Sequence, residues 1–239
     1  GKYIKFLYDD DTLEINCVSR LVEALKNNIN AVLASSRRTR IDEKGNKLPD
    51  IAATAFPFNQ DAIIKGDDLI SFLCDHQVNF IGEPSVFLCY RDDLIELGDQ
   101  IFNIKNEEMP YFADVALMIK LFRKGDLAFL KESLSNFRIS AGQISQMASS
   151  QQDKVNSTYS LMPKLIKELG WYKGNKEDNQ FVRVTPMNGQ GSVLTENLLN
   201  ALLASRHQSL LQHQSDQFEQ WLKKRHLPEQ VKPFANEFQ

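Results

Sequence analysis

Tyr3-Ile4-Lys5-Phe6-Leu7-Tyr8-Asp9-Asp10-Asp11 is the segment on which the reading of this chain turns. Its first five residues read as a strand, and three carboxylates close it. Because the strand begins at once, the natural protein is expected to continue upstream. Downstream, apolar residues recur at Ile15, Val18, Leu21, Val22 and Leu25, a helical spacing that ends at Asn27-Asn28. Ala31-Val32-Leu33-Ala34 predicts a short buried strand, and Arg37 to Asn46 two polar arms around a Lys44-Gly45-Asn46 turn. Asp67 and Asp68 start an amphipathic helix through Leu69, Ile70, Phe72 and Leu73. Val86 to Tyr90, after Gly82-Glu83-Pro84-Ser85, has the density of a strand buried on both faces. Asp114 opens a helix that stops at Gly125, and Leu127 to Ile139 is again extended. Strands alternating with helices over residues 1–150 predict an α/β fold with a largely parallel sheet and flanking helices.

After residue 150 the character shifts. Residues 151–239 carry 11 basic and 9 acidic side chains, +2, against 17 and 22, or −5, for residues 1–150. Leu161, Leu165 and Leu169 share a helical spacing. So do Leu194, Leu198, Leu199, Leu202 and Leu203, and then Leu210, Leu211, Phe218, Trp221 and Leu222. The region 151–239 is expected to be a mainly α-helical extension, broken by a short extended piece at Phe181-Val182-Arg183-Val184.

The composition bounds the function classes. Of 239 residues, 42% are apolar and 25% charged, enough for a sizeable core. The net charge of −3 provides no overall basic field for nucleic acid. Cys17, Cys74 and Cys89 stand in apolar contexts without a CxxC, which predicts reduced core thiols rather than a disulfide framework. No apolar run approaches ~18 residues, so no transmembrane segment is expected, and none reads as a signal peptide.

Adjacent carboxylates repel one another unless a cation or hydrogen-bond donors offset the charge. Asp9-Asp10-Asp11 at the carboxyl end of a strand therefore suits a divalent ion bridging to a diphosphate, because ligands of open α/β sheets collect at that edge. The same trio could instead cap the following helix as a solvated acidic turn. Arg37, Arg38 and Arg40 form a basic cluster that could meet a diphosphate or stay in a solvated loop. Asp114 could be a base or a cap, Glu83 a sugar ligand or a turn residue, and Arg138 a phosphate contact or a structural ion pair. Trp171-Tyr172 and Trp221 could stack on a sugar or belong to the core. His76, His207, His213 and His226 show no metal-ligand pattern.

The segment Tyr3 to Asp11, with its following helix and strand, resembles the metal-site region of glycosyltransferase family 2. So do Arg37-Arg38 before Ile41-Asp42-Glu43-Lys44-Gly45, then Ile81-Gly82-Glu83-Pro84-Ser85-Val86-Phe87-Leu88. Asp114-Val115-Ala116-Leu117 with Gly125-Asp126-Leu127, and Leu134-Ser135-Asn136-Phe137-Arg138 with Gln143-Ile144-Ser145, complete the order over residues 1–147. The resemblance implies the C-terminal half of a GT-A domain, a partial Rossmann-like mixed sheet over 1–150, with 151–239 as the helical extension. It implies a nucleotide-diphosphosugar donor, a glycan, lipid-linked or protein acceptor, usual inversion, and Mn²⁺ or Mg²⁺ as cofactor. The family's DxD motif falls on Tyr8-Asp9-Asp10, which makes Asp10 the metal ligand and Asp9 a ribose contact, with Asp11 capping the next helix. The family's base falls on Asp114, and Glu83, Arg38 and Arg138 become donor or substrate contacts. Two positions depart from the pattern: Tyr8 replaces the first acid, and Arg138-Ile139-Ser140 lacks the family's histidine. The resemblance also implies polysaccharide or glycoprotein assembly from the cytosol, at or beside the inner face of a membrane.

Two other functions compete. A truncated or degenerate transferase-like module could serve assembly, its leucine-rich tail offering a face for homo-oligomers. An unrelated α/β protein could hold a metal on the aspartates for phosphate hydrolysis.

Overall fold

The computed structural model describes residues 1–140, 151–187 and 191–224. From the amino end come β1 (Tyr3–Lys5), β2 (Thr12–Leu13), α1 (Cys17–Asn27), β3 (Ala31–Ile41), β4 (Lys47–Leu48), β5 (Ala62–Ile64) and α2 (Gly66–His76). Then follow β6 (Leu88–Tyr90), α3 (Arg91–Leu97), β7 (Asn103–Ile104), β8 (Glu107–Glu108), α4 (Ala113–Phe122) and β9 (Asp126–Arg138). The rest comprises α5 (Gln152–Glu168), β10 (Phe181–Pro186), β11 (Leu194–Asn197) and α6 (Leu198–Lys224). The main sheet has the order β1-β6-β3-β9-β5-β10-β11, with β2 on β9 and β4 on β3.

The fold is mixed α/β. Its sheet is less parallel than the helix–strand alternation predicts, since β3–β9 is the parallel pair and every other pairing among the described residues is antiparallel. Alternation identifies strands but not the direction in which each enters the sheet. Here the Gly82–Ser85 turn sends β6 back between β1 and β3, with Cys89 opposite both Ile4 and Leu33.

Strand β9 shows why its sequence is a near-continuous apolar run. Leu127 and Phe129 join one core, Ala128 and Leu130 the other, so both faces are buried. The first core packs Phe72, Phe80, Phe87 and Phe122 with Met162 and Ile166 of α5. The second lies under α1, which buries Cys17, Leu21, Ala24 and Leu25. That face differs from the expected one: Ile15 precedes the helix in full exposure and Val18 points outward. The small members Cys17 and Ala24 complete an i, i+4, i+7, i+8 stripe that a count of large hydrophobes misses. All three cysteines are buried and unbridged.

The tail also departs from its periodicity. Leu194 lies in β11 rather than on a helix, and the two expected leucine-rich helices are one, α6. Strand β10 pairs with β5 (Val184 opposite Ile64) and β11 with β10, so both extend the same sheet. Trp171 and Tyr172 pack at the margin of the first core, and the Tyr172 hydroxyl donates to Asp75 at 2.8 Å. His226 and Gln143-Ile144-Ser145 lie outside the described residues.

Helices α2 and α4 meet through glycine. A Cβ on Gly66 would lie 2.0 Å from the Gly125 carbonyl oxygen and 2.7 Å from that of Phe122. Backbone cannot yield as a flexible side chain does, so Gly66→Ala is expected to cost about 3 kcal/mol. Calorimetry should show this as a melting point lower by roughly 6–12 °C.

Candidate active site

Strands β1 and β3 both run antiparallel to β6, and β3 runs parallel to β9. Their carboxyl ends therefore share one edge of the sheet. Asp9-Asp10-Asp11 follow β1 at that edge, Arg38 lies late in β3, and Arg138 ends β9. Strand β6 runs the other way, which brings its approach, Gly82 to Phe87, to the same edge. Helix α4 leads into the start of β9 at the opposite edge, so Asp114 in its first turn lies here as well.

Asp114 is half-buried, and both its oxygens are engaged. Asn79 Nδ2 donates to Oδ2 and the Val115 N–H to Oδ1, each at 2.8 Å. Asn79 also closes a reciprocal pair with the Gly82 backbone, at 3.1 and 3.2 Å. Gly82 has φ +112, and a Cβ there would meet Val86 and Arg38 within 3 Å, which restricts the position to glycine. Beneath this turn Arg38, only 5% exposed, donates to the carbonyls of Ala53, Phe80 and Asn79. Its Nε lies 3.1 Å from Glu83 Oε2. Ser85 Oγ accepts the Tyr8 N–H at 2.9 Å. Lys5 Nζ donates to the carbonyls of Phe6 and Ser85. Asp11 Oδ2 and Glu83 Oε1 have no hydrogen-bond partner among the described residues.

Burial dominates the electrostatics. It raises the Asp114 carboxyl to about 6, helped by the charge of Glu83 and opposed by the Val115 N–H and Arg38. Burial also raises Glu83, against the pull of Arg38, and Asp11, against the Ser85 hydroxyl and the Arg138 N–H. Lys5 is lowered to about 8 by burial, although Cys17, Glu83 and Asp11 favour its charge. Tyr8 and Tyr159 are raised by burial and then by the charge of Asp114, which places both phenols within its field.

The sequence-selected residues fall into different roles. Asp114, Glu83 and the Asp9–Asp11 turn come together at the edge. Asp11 does not cap α1, where Asn16 is the N-cap residue. The reason is β2, which pairs with β9 (Thr12 opposite Asn136), delays the helix and leaves Asp11 7% exposed, holding the Arg138 N–H at 3.2 Å. Arg38 faces inward, so it braces Glu83 and Asn79 rather than meeting a solvent-borne phosphate. Arg37 pairs with Asp50 at 2.8 Å, and Arg40 donates to the Pro49 carbonyl at 2.7 Å. Arg138 Nε donates to the Asp10 carbonyl and Nη1 to those of Asp42 and Glu43, tying the acidic turn to the β3–β4 hairpin. Asn79, Ser85 and Lys5 escape sequence reading, because a lone Asn, Ser or Lys beside a loop carries no pattern.

Asp9 is exposed and Asp10 half-buried, both in the turn after β1. Among the described residues no group of three or more His, Cys, Asp or Glu side chains is placed to hold a metal. The donor set fits an ion that takes one or two carboxylates and fills its sphere with phosphate and water oxygens, as Mg²⁺ does. It does not fit a closed cage of protein ligands. A hollow of about 500 Å³, lined by residues such as Arg20, Asn28, Asp61 and Lys131, lies apart from this cluster.

No protein-family model matches the chain, and no curated protein matches it. What the site can do rests on its own chemistry. A carboxylate that is half-buried, hydrogen-bonded in place and ionised only above pH ~6 is poised to take a proton near neutrality. Among the described residues no helix is long and apolar enough to cross a membrane.

Proposed function

We propose that this chain belongs to a metal-dependent glycosyltransferase of the family-2, GT-A type. It would move a sugar from a nucleotide-diphosphosugar to a hydroxyl acceptor with inversion. The observation that carries the reading is the Asp114 carboxyl, held by Asn79 and the Val115 N–H at the edge where β1, β3 and β9 end. Asp114 takes the acceptor hydroxyl's proton as its oxygen attacks the anomeric carbon, and Asn79 and the Val115 N–H hold the carboxylate in position. Glu83, braced by Arg38, lies within the field of Asp114 and helps to keep that carboxyl's affinity for a proton high. Asp10 would hold the Mn²⁺ or Mg²⁺ ion and Asp9 the donor's ribose, in the turn that Arg138 fastens. When bound, the ion supplies the positive charge that a departing diphosphate needs. A cytosolic setting beside a membrane, as in polysaccharide assembly, belongs to the same proposal.

Asp10→Ala is the direct test of the metal assignment. Calorimetry with Mn²⁺ and a panel of nucleotide sugars is expected to show metal-dependent binding in the parent protein and none in the variant. Equal affinity in both would remove Asp10 from the metal site.

One observation favours assembly as a second role. Leu203, Leu211, Phe218 and Trp221 of α6 are 43–50% exposed, and the last two rings stack with centroids 5.9 Å apart. Such a face suits helix packing between copies of the chain.

A further inference from the structure

We propose that Tyr159, Phe112 and Tyr8 form an aromatic rim around Asp114 that receives the acceptor as a neutral pyranose ring. The inference rests on the transfer reading above and narrows its acceptor from glycan, lipid-linked or protein to a sugar ring. Phe112 lies two residues before Asp114, and its ring meets that of Tyr159 with centroids 4.2 Å apart at 50°. Both rings are half-buried, and each keeps part of its surface toward solvent. Tyr159 borders the buried face of α5, where Val155, Met162, Leu165 and Ile166 anchor the helix and so fix the position of its ring. Phe112 is fixed by its N–H bond to the Met109 carbonyl at 3.0 Å, after Tyr111 with φ +67. A left-handed non-glycine residue costs of order 1 kcal/mol, and such strain concentrates at functional sites. Tyr8 is the third ring, near enough for the Asp114 charge to act on it, its backbone anchored to Ser85 and its side chain 49% exposed.

The chemistry of this rim selects its ligand. Aromatic faces offer the C–H face of a pyranose a flat apolar contact, and the phenols, Asp114 and Asn79 meet its hydroxyls. An anionic acceptor would meet the carboxylates of Asp114, Glu83 and Asp11, while the cations of the cluster, Lys5 and Arg38, are bonded to protein carbonyls and Glu83. Tyr8, at the first position of the DxD-like motif, thereby acquires a role on the acceptor side.

The test is binding of neutral mono- to tetrasaccharides, followed by saturation-transfer NMR and calorimetry, without donor or metal. The parent protein should bind at least one of them. Tyr159→Ala should weaken it about tenfold or more, whereas Tyr159→Phe, which keeps the ring, should stay within about threefold. Asp114→Asn should still bind glycan while losing transfer, which separates this inference from the assignment of the base. Tyr8→Ala, at an exposed position that can change without unfolding the protein, should also weaken binding. Undiminished affinity in both alanine variants, or a parent protein that binds only anionic ligands or no neutral sugar, would overturn the rim. The base assignment is decided separately, by the turnover of Asp114→Asn.

Discussion

Asp114→Asn is expected to lower sugar transfer by about 10²-fold or more and, at the same time, to gain stability relative to the parent as pH rises from 4 to 8. The two effects share a cause. The folded-state value of about 6 lies above the ~3.9 of an unfolded aspartate, so the native state binds this proton more tightly than the unfolded chain does. The stability that this contributes is full below pH ~4 and is lost as pH rises through 6. Near pH 8 the native protein therefore holds an ionised carboxylate that folding opposes by about 1–3 kcal/mol. Asparagine keeps the shape and carries no charge. Its single oxygen can meet only one of the two donors, Asn79 Nδ2 and the Val115 N–H, and its amide nitrogen faces the other. The variant's melting point relative to the parent's should be highest near pH 8 and fall toward pH 4, where neither side chain is charged. The parent's turnover should rise with pH through a limb near 6, and the variant should show no such limb. A variant with half the parental turnover would end the assignment of Asp114 as base.

The largest stability loss is expected at Arg38→Met. The change strands Glu83 as a buried carboxylate without its counter-charge and leaves the carbonyls of Ala53, Phe80 and Asn79 without their shared donor. Breaking such a pair from one side costs about 3–5 kcal/mol, mostly the penalty of the charge left behind. Urea denaturation should show that loss, and Glu83→Gln added to Arg38→Met should recover part of it. The same measurement separates two roles for the residue. A phosphate contact would lose donor affinity with stability unchanged, whereas a brace loses stability and, through Asn79, the alignment of Asp114.

These two residues also mark how far the sequence could be read. Asp114 was legible because it opens a helical period and has the chemistry of both cap and base. The inward course of Arg38 was not. Arg37-Arg38-Thr39-Arg40 has the polarity of a loop, yet β3 runs on to Ile41 because β9 pairs with it throughout, turning Arg37 out and Arg38 in. Asp11 was misplaced for a related reason: the two-residue β2 is too short to carry a period, and it alone pushes the start of α1 back to Cys17. The helices over 66–76 and 113–122 were within reach, because each buries a long apolar stripe. The meeting of Tyr159 with Phe112 belongs to tertiary packing and leaves no local trace.

The pairing of β10 with β5 fixes a timetable for the growing polypeptide. Ile64 leaves the ribosome 120 residues before Val184, its partner across the sheet (184 − 64). At 5–20 residues per second, the nascent chain spends roughly 6–24 s with that flank open. Translation speed across the intervening codons, and any chaperone able to shelter an unpaired flank, thus bear on the yield of folded protein.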